Sequence, residues 1–451
     1  MTLRTPIEQQ QQSTERLLMF GSVGLITCFA FESLATTNTM PTVVEDLGGD
    51  QWYSVAAGVV LAGQVISTVV AGAWNDAKGV KPSLVTGILL FTVGALIAGL
   101  APSLPAFVTG RAVQGLGGGF VIVPLYVMIG ALVEPERRPR FFAAFSYAWV
   151  VPSMVGPAVA GYIVDQWHWR PVYYLIIPVA LAALLPLLPL LRHIPPPEPS
   201  DVTMPPLFSA ILTATGIIAL QLGGAYTGSA KWFLFGAGAA LLVGFLPRLF
   251  PKGTAFARRG TPSIVATRFL LMAALVGTEF FLPFVLNRVH EWTASATGWA
   301  IALGSLTWTV GSWSQTHVVR PNRRRYIPIV GAGCVAVGTA LALLLPHSDI
   351  SPFIGLTGWA VIGLGMGLAI ATTSDFALAI TDKSRHGDVS ASLQLADSTG
   401  PALAMGVISV ALSLWVDQVS TANPYLPAPV IACLIGALAF GAAMRNRRLS
   451  W

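Results

Sequence analysis

Long apolar runs separated by short polar stretches recur from one end of this chain to the other. A helix needs about 20 apolar residues to cross a bilayer. Fourteen segments read as such spans: 17–44, 53–74, 84–101, 105–133, 141–165, 171–191, 206–226, 231–249, 263–289, 294–318, 326–346, 351–380, 387–416 and 425–444. Hydrocarbon offers no water to an unpaired backbone group, so each run is expected to be an α-helix. The pattern predicts an all-α integral membrane protein whose membrane domain takes up nearly all of its 451 residues.

Composition agrees, and charge adds an orientation. Only 10% of the residues are charged and 54% are hydrophobic, whereas a soluble domain carries about a quarter charged residues. The net charge of +6 lies in short clusters between apolar runs, not in one patch, which argues against nucleic acid as a partner. Alternate loops carry the clusters: Lys78 and Lys81; Arg137, Arg138 and Arg140; Arg192; Arg248, Lys252, Arg258 and Arg259; Arg320 and Arg323 to Arg325; Lys383 and Arg385. The opposite loops hold only Arg170, Lys231 and Arg288. The positive-inside rule then puts both termini, 1–16 and 446–451, in the cytoplasm of a multi-pass plasma (inner cell) membrane protein. The first apolar run is too long for a signal-peptide core and is expected to stay as a helix. Cys28, Cys334 and Cys433 stand alone in apolar runs, without ligand spacing, so neither a metal nor a disulfide is expected.

An internal repeat organises these spans. Residues 109–119 read TGRAVQGLGGG and residues 357–367 read TGWAVIGLGMG, eight identities in eleven at an offset of 248. GPAVAG at 156–161 answers GPALAMG at 400–406, and Glu32 answers Glu279. Parallel repeats of six helices are a transporter architecture. The offset exceeds the 17–192 unit by about the length of 193–262, a 70-residue segment with two spans. The expected organisation is therefore a six-helix bundle over 17–192, a linker with two extra transmembrane helices over 193–262, and a second six-helix bundle over 263–445. The run His193-Ile-Pro-Pro-Pro-Glu-Pro opens the linker, because consecutive prolines cannot continue a helix.

Four motifs carry a resemblance to a known family. They are Gly72-Ala-Trp-Asn-Asp76-Ala-Lys-Gly79-Val-Lys81, Arg111-Ala-Val-Gln114-Gly115, Phe31-Glu32 through Thr37 to Pro41, and Pro152 through Gly156-Pro157 to Gly161. With them the chain resembles the fourteen-helix drug/proton antiporter-like branch of the major facilitator superfamily over essentially all of 17–445. The resemblance implies gating roles for Gly72, Asp76, Gly79, Lys81, Gly156, Pro157 and Gly161. It also implies a proton path beside Arg111 and Glu32. The sequence departs from the family pattern at Ala77, Pro152 and Ala160, and has Glu32 where Asp, and Thr37 where Asn, is commoner.

The embedded charges fit that reading. A charge inside a span is retained mainly where it faces a cavity or a partner. Span 1 runs outward and span 4 inward, so Glu32 and Arg111 differ in depth by about 6 Å at 1.5 Å per residue and can meet. Burial raises a carboxyl pKa and a neighbouring Arg lowers it. An acid that gains and loses such contacts can therefore take up and release a proton. Glu32, Arg111 and Glu279 are the expected proton-coupling residues. Thr37, Gln114, Tyr147, Trp308, Gln394 and Asp397 are the expected substrate contacts, with Trp149, Phe280 and Phe284 as further pocket candidates.

The expected function is proton-coupled export of a hydrophobic or amphipathic small molecule by alternating access. A monomer among membrane lipids is expected, with the proton gradient as energy source and no cofactor. An uptake symporter or a lipid or glycolipid exporter on the same fold stays open as an alternative. A membrane-embedded enzyme would need a nucleophile, His or metal-ligand cluster at membrane depth, and the six His fall at or near span ends.

Overall fold

A computed structural model of the chain describes residues 6–134, 137–192, 194, 207–316, 325–381, 386–418 and 423–448. Within them the protein is all-helical, with no strand. The helices are α1 (Pro6–Leu47), α2 (Tyr53–Lys78), α3 (Val80–Leu100), α4 (Leu104–Leu132), α5 (Arg138–Gln166), α6 (Arg170–Leu184), α7 (Leu207–Ala225) and α8 (Ser229–Phe245). After them come α9 (Thr261–Glu279), α10 (Phe281–His290), α11 (Ala294–Thr316), α12 (Ile327–Ala342), α13 (Pro352–Ala379), α14 (His386–Gln418) and α15 (Pro427–Met444).

Among the described residues, every segment read as a span contains a helix. Eleven helical spans among the described residues are long and apolar enough to cross a membrane, with α9 and α10 together forming one of them. Helices α6 and α12 are apolar but shorter. Past Leu184 the chain continues in tight turns through Pro186 and Pro189 to Arg192. The expected single helix over 263–289 is broken at Phe280, between α9 and α10. Most of the proline linker, 195–206, and the Arg320 to Arg324 cluster lie outside the described residues.

The helix pairings of α1–α6 recur among α9–α15. Helix α4 packs on α2 and α3 as α13 packs on α11 and α12. Likewise α1 packs on α5 and α6 as α9 packs on α14 and α15. The repeated glycines explain the first correspondence. Gly110 and Gly117 lie against the α3 backbone and Gly358 and Gly365 against that of α12, while Gly115 and Gly119 face α2 and Gly363 and Gly367 face α11. A Cβ at any of them would collide with the neighbouring backbone, so small residues set the interhelical distance. The two sets meet along two seams, α2 on α14 and α5 on α11, and α7 packs on both α2 and α14.

The two ends of the molecule differ. At the end away from the chain termini, one apolar cluster draws on both sets: Met40, Val44, Tyr53, Phe107 and Trp169 join Phe280, Phe281, Phe284, Met405 and Ile408. At the end carrying the termini, the clusters stay separate. Leu18, Leu84, Leu125 and Phe141 belong to the first set alone. Ile264, Val265, Phe376 and Val389 belong to the second alone. Among the described residues, buried apolar side chains thus join the two sets at the distal end and stay within one set at the terminal end.

Candidate functional site

Glu32 on α1 and Arg111 on α4 meet inside the first set. They are 3% and 2% exposed, and a guanidinium Nη1 donates directly to Glu32 Oε1. The same nitrogen donates to Gln114 Oε1 at 2.9 Å, one helical turn along α4. Thr36 Oγ1 donates to Glu32 Oε1 at 3.1 Å. Tyr173 of α6, fully buried, lies close enough to interact electrostatically with both charges. Arg111 Nε and Gln114 Nε2 have no partner. A buried polar atom without a partner is costly, so the cluster has unspent hydrogen-bonding capacity. Chemically it can hold a carboxylate against a guanidinium, or let the two separate if the acid takes a proton.

The second set holds a different pair, which sequence reasoning found only by half. Asp397 on α14 is gripped by Arg268 of α9 through Nε to Oδ1 at 2.6 Å and Nη2 to Oδ2 at 2.7 Å. Arg268 also donates to the Ile370 carbonyl and to Ser374 Oγ of α13, at 2.7 and 2.9 Å. Bidentate Arg–carboxylate pairing of this kind is among the stronger polar contacts. Arg268 falls inside the 263–289 apolar run, but its pairing with an acid 129 residues further on has no signal in sequence. Tyr126 of α4 is close enough to Asp397 to interact with its charge, so the pair lies within reach of the first set.

The expected gating residues of α5 lie at the distal seam. The Gly161 Cα lies against the backbone of Ala294 and Ser295, and Gly298 of α11 sits on the Pro157 carbonyl. Gly156 packs on Phe31. Two polar residues outside the expected set join here. Asn38 Nδ2 donates to the carbonyls of Pro157 at 2.8 Å and Ala294 at 3.0 Å, tying α1, α5 and α11 at one point. Asp165 accepts from Ala294 N at 3.2 Å, Ser295 N at 3.0 Å and Ser295 Oγ at 2.5 Å. That is a helix N-terminus capped from the other set of helices. The α1 sequence signal pointed to Thr37, whose buried hydroxyl instead donates to the Ser33 carbonyl at 2.9 Å within its own helix. The amide one residue later does the bridging.

The remaining expected residues are dispersed. Glu279 ends α9 and no described side chain pairs with it. Tyr147 is 70% exposed on α5, Gln394 is exposed on α14, and Trp308 is half-buried against the second set. Trp149 is exposed, while Phe280 and Phe284 are buried in the distal cluster. Gly79 separates α2 from α3 at φ 81°, a backbone conformation that favours glycine. Gly72 has open space around it and Lys81 is exposed in the first turn of α3. The Asp76 side chain lies outside the described residues. Among the described residues no three His, Cys, Asp or Glu come together as metal ligands.

Comparison with known proteins places this geometry. The model of the Major Facilitator Superfamily matches residues 21–405. The chain is 24% identical over 415 residues to the multidrug transporter protein MdtP of Bacillus subtilis, covering 87% of this chain and 74% of that one. It is 24% identical over 461 residues to a "Probable multidrug-efflux transporter" of Mycobacterium tuberculosis, covering 96% and 95%. Some curated relatives are longer, and the chain spans half of their length. A crystal structure of a POT family transporter in complex with 5-aminolevulinic acid superposes with a TM-score of 0.69 at 14% identity, covering 96% of each chain, which shows a shared fold. By these matches and its helical architecture, the chain belongs to the Major Facilitator Superfamily of membrane transporters.

Proposed function

We propose that this transporter is a proton-coupled antiporter that exports hydrophobic or amphipathic small molecules from the cytoplasm. The observation that carries the reading is the buried Glu32–Arg111–Gln114 cluster, an acid held away from water by a cation that its protonation would release. In this reading the recurring helix pairings are two six-helix bundles, α7 and α8 are the inserted pair, and the spans number fourteen. Both termini face the cytoplasm, since the basic loops lie at the terminal end. The molecule is then in an inward-facing state: closed at the distal seam, and open to the cytoplasm between the two terminal-side clusters.

Substrate enters that cytoplasmic gap, past Tyr147, Tyr126, Gln394 and the Asp397–Arg268 pair. The likeness to a multidrug transporter and to a probable multidrug-efflux transporter supports a broad substrate range. Proton uptake by Glu32 from the outside frees Arg111, and proton release to the cytoplasm restores the pair as the bundles rock. The chain acts as a monomer with no cofactor.

Inverted membrane vesicles test direction and coupling together. With an acidic lumen, wild-type protein should drive a fluorescent lipophilic substrate into the vesicles, and Glu32→Gln should abolish that accumulation while retaining substrate binding. Accumulation that needs an alkaline lumen would instead establish a symporter, and full activity of Glu32→Gln would remove Glu32 from the proton path.

A further inference from the structure

One end of the molecule carries a basic cluster that neither transport nor the charge pairs use. The loop from α8 to α9 and the turn after α15 converge there: Arg248, Lys252, Arg258 and Arg259 come from the loop, and Arg445 and Arg447 from the turn. No acid occurs in 246–260 or 440–451. Among the described residues none of these six cations forms an ion pair, in contrast to Arg137, which is paired with Glu15 at 3.1 Å. Arg259, Met444, Arg445 and Arg447 line an open cavity of about 350 Å³. Arg445 Nη1 donates to the Phe256 carbonyl at 3.0 Å and so fastens the loop to the turn, while the Phe256 ring is exposed.

Helix α15 supplies an apolar approach to that cavity. Val430, Leu434, Ala437, Gly441 and Met444 are all exposed and recur at spacings of four and three, so they form one face. From Leu434 to Met444 is about 15 Å of helix, half of a hydrocarbon core about 30 Å thick. The face therefore runs the depth of one leaflet and ends at the arginines.

We infer that this is a binding site for an anionic phospholipid, its phosphate among Arg259, Arg445 and Arg447 and an acyl chain along the exposed face of α15. Arginine suits phosphate because its planar donors match the oxygens in pairs, and basic pockets at the ends of spans attract anionic headgroups. A free phosphate would use the same guanidinium groups but would gain nothing from α15. The loop and the turn belong to different helices, so a bound lipid would clasp α8, α9 and α15 together.

Native mass spectrometry of the detergent-solubilised full chain tests this. The probes are cardiolipin, phosphatidylglycerol and phosphatidylcholine, with inorganic phosphate as competitor. Wild-type protein should retain the two anionic lipids in preference to phosphatidylcholine. The triple variant Arg259→Gln/Arg445→Gln/Arg447→Gln should bind them at least about tenfold more weakly. The matching Arg→Lys triple variant, which keeps charge but not the paired donors, should retain intermediate binding, and the Gln variant should keep the wild-type thermal midpoint without added lipid, so that its loss of binding is not misfolding. Arg137→Gln should leave lipid retention unchanged. Equal retention of phosphatidylcholine, unaltered binding by the Gln variant, or full displacement by millimolar phosphate would each overturn the assignment, the last by showing a soluble-anion site.

Discussion

A buried carboxylate and guanidinium that share a hydrogen bond cannot be altered one at a time without leaving a bare charge behind. Removing one partner of such a pair costs about 3–5 kcal/mol, whereas replacing both with apolar side chains is often neutral. Glu32→Ala should therefore lower the thermal midpoint of the detergent-solubilised protein sharply. The double variant Glu32→Leu/Arg111→Met should regain most of that stability and none of the pH-driven transport. Recovery of stability without recovery of transport separates the chemical role of the pair from its packing role. The pair was legible in sequence because helix direction and rise alone place residues 32 and 111 at similar depth. The bond from Asn38 to the Pro157 and Ala294 carbonyls was not. An amide whose acceptors lie 119 and 256 residues further along the chain looks, in sequence, like any polar residue in a span. Arg268 illustrates the same limit, since its grip on Asp397 depends on how α9 and α14 are rotated.

At the scale of helices, the α5–α11 seam has two components that respond differently to mutation. The first is steric: Gly161 lies so close to Ala294 that any added Cβ meets backbone. Gly161→Leu should wedge the distal end apart and abolish transport. The second is electrostatic and local, the Asp165 carboxylate capping the start of α11. Loss of an N-cap typically shifts an equilibrium by about fivefold. Asp165→Ala should move the distal end toward its open form by about that factor, while transport continues at an altered rate. Electron–electron distance measurements between spin labels at the exposed positions Gln166 and Thr293, on either side of the seam, read both effects. Unchanged distance distributions in both variants would show that this seam does not gate. Most span positions were readable from apolar length alone, but α1 begins at Pro6, within the stretch 1–16 read as a tail, and α6 ends at Leu184, seven residues short of 191. The break at Phe280 was legible too, although 263–289 reads as one span: Pro283 has no N–H for the Glu279 carbonyl four residues back and its ring crowds that carbonyl, which ends α9 there.

At the scale of the whole molecule, the conformational state lies beyond sequence in principle, because one sequence must encode both the inward- and the outward-open forms. The repeat and its 70-residue excess predict that α7 and α8 are an inserted pair, but not which set of helices that pair follows. The polar contacts answer that. Gln221 Nε2 donates to the Ala402 carbonyl at 3.2 Å, and Ser409 Oγ donates to the Gln221 carbonyl at 2.9 Å. Lys231 at the start of α8, 3% exposed, donates to the Ser413 carbonyl at 3.2 Å. All three partners lie on α14. The side of α7 toward α2 makes contact chiefly through packing, as where Gly58 lies under Gln221. A hydrogen-bonded interface buried in hydrocarbon resists sliding, since a separated donor finds no water there. The inserted helices should therefore travel with α14 and slip past α2. In a background without Cys28, Cys334 and Cys433, a disulfide joining cysteines at 224 and 409 should leave turnover intact. One joining 58 and 221, across the α2–α7 contact, should stop turnover on oxidation and restore it on reduction. The opposite pattern would assign α7 and α8 to the first set of helices, and inhibition by neither bond would mean that the α2–α7 contact is static through the cycle.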